Sequence, residues 1–335
     1  MMINWLRLTG YALGLLVLIT LAAGGVAAWQ WRERPSLAEL DWPIAESESV
    51  DGSAVTVTWL GISTLLFDDG ETQILTDGTI TRVQIKDFLT ARPLTSDVGQ
   101  INLALERYDM YRIAAIIPTH SHFDHAMDSG HIANRSAAVI LGSESTANIA
   151  RGAGVPVDQY QILANGESRH FGDFTITLVE VRHAPIGPGE DGWFSGVIEE
   201  PLEQPARFFR WKSGAVYSVI ISHPRGTAIV NSSAGFVEGA LHEYEADVVL
   251  LGVGGLSELG AEYTARYWRE TVRASGADRV FAIHFDDYTM PFGDIQLFPR
   301  IADDVLETAE WIGTEAAADG LEVRRLPFGV PVALY

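Results

Sequence analysis

The sequence predicts a mixed α/β fold preceded by one apolar N-terminal span, and three observations carry that reading. Short runs of β-branched and apolar residues recur from Val55 to the C-terminus and alternate with stretches of helical spacing. No charged residue occurs between Leu8 and Trp31. The 335 residues are 47% hydrophobic and 20% charged, which supplies a full core and excludes a disordered chain.

The stretch Leu8–Trp31 is long enough to cross a bilayer, which takes roughly 20 apolar residues. Arg7 precedes it, Arg32, Glu33 and Arg34 follow it, and Trp5, Trp29 and Trp31 flank it as interfacial anchors do. An uncleaved anchor through residues 8–31 is the preferred reading. The alternatives are a cleaved export signal, with apolar core Leu13–Ala23 and small residues Gly24–Ala28 before a cleavage site, and a buried core helix. Basic residues nearly balance across the span. The very short leading tail favours a single-pass protein with its bulk on the extracytoplasmic side. Residues 1–32 are therefore expected to be anchor or signal, 33–50 a linker that is polar and carries two prolines, and 51–335 one domain.

Within that domain, Val55–Leu60, Ser63–Phe67 and Thr72–Thr76 read as strands separated by Gly61-Ile62 and Asp68-Asp69-Gly70. Ile101–Tyr111 has helical spacing. Ala114–Ile117 is a short buried strand, Ser145–Gly152 a helix, and Phe174–Val181 a strand. Tyr217–Ile221 and Thr227–Val230 form a hairpin around Pro224-Arg225-Gly226. Val248–Leu251 and Val280–Ile283 are buried strands with a helix, Ala261–Ala274, between them. A second helix covers Ile301–Ala318, and Glu322–Leu334 ends the chain as strand.

Charge and composition narrow the function. A net charge of −21 argues against nucleic acid as the main ligand, because phosphate binding needs a basic face. The absence of cysteine excludes disulfides, a thiolate nucleophile and thiolate metal ligands. Any metal must be held by carboxylates and by some of the nine histidines.

Thr119-His120-Ser121-His122-Phe123-Asp124-His125 is the sharpest signal. It follows a buried strand. Residues two apart in extended chain point to one side, so His120 and His122 can reach one ion together. Asp124 and His125 lie where the chain should turn into a helix and can face a second ion. Four such groups crowded together are costly without a cation, and imidazole with carboxylate suits zinc and similar divalent metals.

This His-x-His-x-Asp-His run resembles the signature of the metallo-β-lactamase superfamily of metal-dependent hydrolases. Thr58–Thr64 followed by Ile74-Leu75-Thr76-Asp77 is similar to the family's opening hairpins and first-motif Asp. Within the superfamily the chain looks most like the branch of N-acyl-phosphatidylethanolamine phospholipase D-like and sugar-lactone hydrolase-like members. The resemblance runs from about Val55 to Leu334. It implies a four-layer αββα sandwich with metals at one edge of two sheets. It also implies His183 as the third ligand beside His120 and His122, and His284 as partner to Asp124 and His125. Asp77 would orient ligand histidines by hydrogen bonding; a plain turn Asp is the alternative. One position departs. Where the superfamily usually has a metal-bridging Asp, this chain has Ser233 by register, in Asn231-Ser232-Ser233. Two zinc ions are expected, the second bound more weakly. Asp286 and Asp287 read as a solvated loop, and His223 as surface.

The implied chemistry is attack by a zinc-activated hydroxide, with Asp124 as ligand and orienting group, on an ester or phosphodiester. The branch and the span favour a lipid-like substrate. Lactone or β-lactam hydrolysis is one alternative. A non-catalytic, membrane-tethered zinc-binding protein is the other, suggested by Ser233. The loop Ala184–Gly214 holds Trp193, Phe194, Phe208, Phe209 and Trp211, which could line a substrate groove or pack the core beneath it.

Overall fold

The computed structural model describes residues 2–46, 54–189 and 192–335. The N-terminal stretch forms one helix, α1 (Met2–Arg32). Its segment Leu13–Arg32 has a mean hydropathy of 1.8 and is 0% buried, so α1 is not a core helix. The stretch expected to be a linker behaves differently over its described part. The Arg34 guanidinium lies 2.5 Å from Asp287 Oδ2 and donates to the Leu297 carbonyl at 2.9 Å. Leu40, Trp42 and Ala45 are buried, and the backbones of Pro43 and Ala45 pair with Arg325. Proline and polar residues suggested a loose tether, but burying an indole and a leucine offsets the cost of ordering the chain around them. Residues 47–50 of the expected linker lie outside the described residues.

The strands follow in order: β1 (Thr56–Trp59), β2 (Leu65–Asp68), β3 (Gln73–Thr76), β4 (Pro93–Leu94), β5 (Ile113–Ile117), β6 (Val139–Gly142), β7 (Tyr160–Ile162), β8 (Ser168–Phe171), β9 (Phe174–Val181), β10 (Ala206–Arg207), β11 (Val216–His223), β12 (Gly226–Asn231), β13 (Val248–Gly252), β14 (Arg279–Ile283), β15 (Val323–Arg325) and β16 (Val332–Ala333). One sheet has the order β16-β1-β2-β3-β5-β6-β7, the other β15-β14-β13-β12-β11-β9-β8, and β4 pairs with β10. The C-terminal stretch expected as one strand splits between the two sheets, because Pro327 and Gly329 interrupt it and the chain crosses over.

Side-chain alternation builds the layers. On β2, Leu65 and Phe67 face the core shared by both sheets, while Leu66 faces outward; Ile74 and Leu75 on β3, and Ala115, Ile116 and Ile117 on β5, divide the same way. The outward residues pack under α2 (Val98–Arg107) and α3 (Ser129–Ser136). On the far side, α4 (Leu256–Trp268) and α5 (Val305–Ala318) contribute Tyr267, Trp268 and Ile312 to the core of the second sheet. The layers therefore run helix, sheet, sheet, helix. Trp211 is fully buried and Phe208 packs on Phe88 and Phe194, so these two loop aromatics support the fold.

Candidate metal centre

The site grows from the end of β5. This strand is parallel to β3 and β6 on either side, so its C-terminal end opens onto one edge of the sheet. His122 keeps extended backbone (φ −65°, ψ 157°) and begins the short helix Phe123–Ala126. That change of conformation turns Asp124 and His125 away from the side shared by His120 and His122. The second sheet supplies the rest: His183 follows β9, and His284 follows β14.

The structure brings all six residues together in two triads. The ligand atoms of His120, His122 and His183 lie within 4.8 Å of one another, as do those of Asp124, His125 and His284. Asp124 Oδ2 stands 3.5 Å from His125 Nε2 and 3.6 Å from His284 Nε2. His120 Nε2 and His122 Nδ1 approach to 3.0 Å, a pair that must share a proton or a cation. His183 Nδ1 donates to the Ala184 carbonyl at 2.8 Å, which leaves Nε2 with its lone pair. His122 Nε2, His284 Nδ1 and Ser233 Oγ are buried without partners. The nitrogens that face one another, His120 Nε2 and His122 Nδ1 in one triad and His125 Nε2 and His284 Nε2 beside Asp124 in the other, are what a divalent ion would satisfy. The donor set, five imidazoles and one carboxylate, suits zinc and its first-row neighbours.

Electrostatics agree with that use. Burial, then the neighbouring imidazoles, pushes His120 well below its ordinary range. The same causes lower His183 and push His122 down to about 3, so these rings stay neutral. For His125 burial also acts downward, but the Asp77 and Asp124 carboxylates outweigh it and hold it above its ordinary value. Burial raises Asp124, yet His125 and His284 overcome this and keep the carboxyl ionised well below the usual range.

The surrounding residues hold the ligands in place. Asp77, at φ 55°, accepts the Nδ1 proton of His125 at 2.8 Å and the Ser63 hydroxyl at 2.5 Å on one oxygen. Its other oxygen accepts the Thr119 amide and hydroxyl at 2.7 and 2.9 Å. It thereby fixes both the tautomer of a ligand and the start of the ligand loop. Ser232 bonds the Thr119 hydroxyl. His284 sits at φ 58°, and so does β-branched Ile62 at φ 53°, an unfavourable conformation for that residue. The two are tied: His284 N donates to the Ile62 carbonyl (2.8 Å), and Ile62 N donates to Asp286 Oδ1 (2.8 Å). Gly254 is required beside them, since a Cβ there would lie 2.8 Å from His284 Nδ1 and from its carbonyl oxygen.

Two expectations change. Asp286 and Asp287 are buried, not solvated; Asp286 braces Ile62, and Asp287 pairs with Arg34. His223 is not a surface residue: its ring stacks near Phe174 and clusters with Asp69 and Asp173. Its Nδ1 accepts the Arg225 amide at 3.3 Å, so Nε2 carries the proton toward Asp69 and is unsuited to a metal. Sequence reasoning also missed Asp128, which accepts the Ile80 and Thr81 amides and the Thr81 hydroxyl; only its place four residues after Asp124 hinted at a role.

A pocket of about 360 Å³ covers the triads. Its polar wall includes Ser232, Ser233, Glu258 and Asp303, and its apolar wall Phe88, Ile186, Trp193, Phe194 and Tyr288. Trp31 of α1 also lines it. Neither Glu258, Asp303 nor Tyr288 carries a sequence signal, because each depends on loops folding over the sheet edge.

Comparisons with known proteins agree with this architecture. Residues 57–192 match the family model described as the metallo-beta-lactamase superfamily. No curated protein matches the chain. Among solved structures, CmlA, a diiron β-hydroxylase from Streptomyces venezuelae, is 12% identical with a TM-score of 0.52, over 86% of this chain and 55% of that one. Igni18, a metallo hydrolase from Ignicoccus hospitalis KIN4/I, is 16% identical with a TM-score of 0.49, over 84% and 99%. At such identities the likeness to CmlA shows the fold. Residues 57–192 are thus similar to that superfamily, and the fold and the paired triads support a metal-dependent hydrolase.

Proposed function

We propose that the protein is a zinc-dependent hydrolase of an ester or phosphodiester bond in a lipid-like substrate, held to a membrane by residues 8–31 with its catalytic domain on the extracytoplasmic side. The observation that carries the hydrolase reading is the meeting of the two triads under one pocket, with His122 Nδ1 turned to His120 and His284 Nε2 turned to Asp124.

His120, His122 and His183 would hold one ion, and Asp124, His125 and His284 the other. The bound metals supply Lewis acidity, making water nucleophilic at neutral pH and stabilising charge on the substrate oxygen. The chain's own residues do the rest. Asp124, kept ionised by His125 and His284, can accept a hydrogen bond from water and aim its lone pair at the substrate. Asp77 holds His125 in the tautomer that directs Nε2 inward. Ser233, uncharged, leaves the space between the triads without the carboxylate that a bridging Asp would provide, which supports weaker binding of the second ion. Trp193 and Phe194 offer an apolar surface beside His122 and His183, suited to an acyl chain.

Metal analysis after zinc reconstitution, combined with a screen of p-nitrophenyl esters, bis-p-nitrophenyl phosphate, a lactone and nitrocefin, tests the proposal. Zinc-dependent ester or phosphodiester turnover that His120→Ala abolishes is expected. Turnover of nitrocefin or the lactone alone would move the assignment to the lactam or lactone alternative. One held ion with no hydrolysis would leave a tethered binding protein. A preference for iron would reject zinc, a relevant outcome because the fold accommodates the diiron protein CmlA.

A further inference from the structure

The last turn of α1 forms part of the pocket. Trp31 lines it together with Ile85, Phe88 and Trp193, and Arg34, three residues on, is latched to buried Asp287 and to the Leu297 carbonyl. Asp287 in turn accepts the amide and hydroxyl of Thr289, another pocket residue, so the helix end and the pocket wall are joined by one short network. With only Glu33 between α1 and Arg34 there is no slack. If α1 crosses a bilayer, the pocket must open at its surface.

The outer face around that mouth carries exposed apolar side chains. Leu89 is 80% exposed and lies one helical turn from Ile85, on the same face of the helix Ile85–Leu89. Trp193 is 51% exposed, and Ile301, exposed between Arg300 and the pocket residue Ala302, faces solvent as well. Residues at or beside the rim have exposed basic neighbours: Trp31 has Arg32, Ile85 has Lys86 and Ile301 has Arg300. In a chain of net charge −21 this pairing of apolar and basic side chains recurs around the mouth, beside the acidic Glu33, Asp87 and Glu258. It is the chemistry that inserts into the interface of an anionic leaflet, apolar groups among the upper acyl chains and cations among the headgroups.

We propose that the metal pocket is a juxtamembrane site: Trp31 forms one wall, the Arg34–Asp287 latch fixes α1 there, and the apolar rim rests in the anionic leaflet of the same bilayer. An acyl-bearing substrate then enters sideways from the leaflet and never crosses water. This rests on the reading of residues 8–31 as an anchor.

The absence of native cysteine makes a direct test clean. Single-cysteine variants Ile85→Cys, Leu89→Cys and Ile301→Cys of the full chain are labelled with bimane and placed in vesicles of phosphatidylcholine and phosphatidylglycerol containing nitroxide lipids. Val157→Cys, exposed and just before β7, reports the opposite edge of the first sheet. Several-fold stronger quenching at 85, 89 and 301 than at 157 is expected. Equal quenching at all four overturns the proposal. The readout needs no turnover, so it stands even if the hydrolase reading fails. Trp31→Ala should also raise the KM for vesicle-embedded p-nitrophenyl palmitate several-fold more than that for soluble p-nitrophenyl acetate; an equal rise rejects Trp31 as a wall for the membrane-borne substrate. A membrane-fraction protein whose N-terminus begins beyond Trp31 would refute the arrangement outright.

Discussion

Asp77 shows how much of the site depends on a side chain that touches no metal. It accepts four hydrogen bonds, two of which set the Thr119 backbone and hydroxyl and one the His125 ring. Asp77→Asn keeps the volume but cannot accept on both sides equally. It should lower metal affinity by roughly 10–100-fold, measured by competition with a chelating dye. The ligand histidines also predict the pH dependence of the metal-free protein. His122 is pushed to about 3 from 6.5, and His120 and His183 also fall below their ordinary values. Between those limits the unfolded chain binds more protons than the folded one, so stability is lost as pH falls below about 6.5. His125 acts in the opposite sense, being stabilising at low pH and losing that contribution as pH rises through its elevated folded value, but it is one ring against three. Melting temperatures of chelator-treated protein should therefore drop steadily between pH 6.5 and 3. A flat profile would contradict the burial of these rings.

At the scale of single elements, His284 depends on a loop rather than on its own strand. Ile62 and His284 both hold positive φ and bond each other, with Asp286 completing the brace. Gly254 leaves the space into which the His284 ring fits. Gly254→Ala should displace His284, reduce metal content from two ions toward one, and spare the triad of His120, His122 and His183, as atomic absorption would read. Loss of both ions together would show that the two sites bind as one unit. Asp286 carries no local sign of burial: only the return of residues 61–62 to that strand end buries it.

For the whole molecule, the ligands come from both sheets. The run 120–125 belongs to the first, and His183 and His284 follow strands of the second. Metal should therefore clamp the two sheets, and its removal should destabilise the entire domain and not one loop. At metal a thousandfold above its dissociation constant, the linkage is about 4 kcal/mol. Chelation should produce a single, lower melting transition; two separate transitions would place the metals outside the cooperative core.

Legibility divided along a physical line. The alternating strands, the helix after β5 and the run His120–His125 were all readable, because a period of two and a cluster of ligands lie within a few residues of chain. His183 and His284 could be assigned only through the family resemblance, as nothing local separates them from His223. Trp31, Glu258, Asp303, Tyr288 and the burial of Asp286 and Asp287 left no local trace. By itself the sequence determined many of the strands and helices, though not β6, β7, β8 or the helix Ser129–Ser136, together with an apolar span and which residue types could hold a cation, since these follow from side chains acting on their near neighbours. Only the tertiary structure decided which distant side chains meet, that the start of the linker packs as core, and that the end of α1 closes the pocket. Those outcomes depend on how two sheets face one another and on which polar groups lose their water when they do.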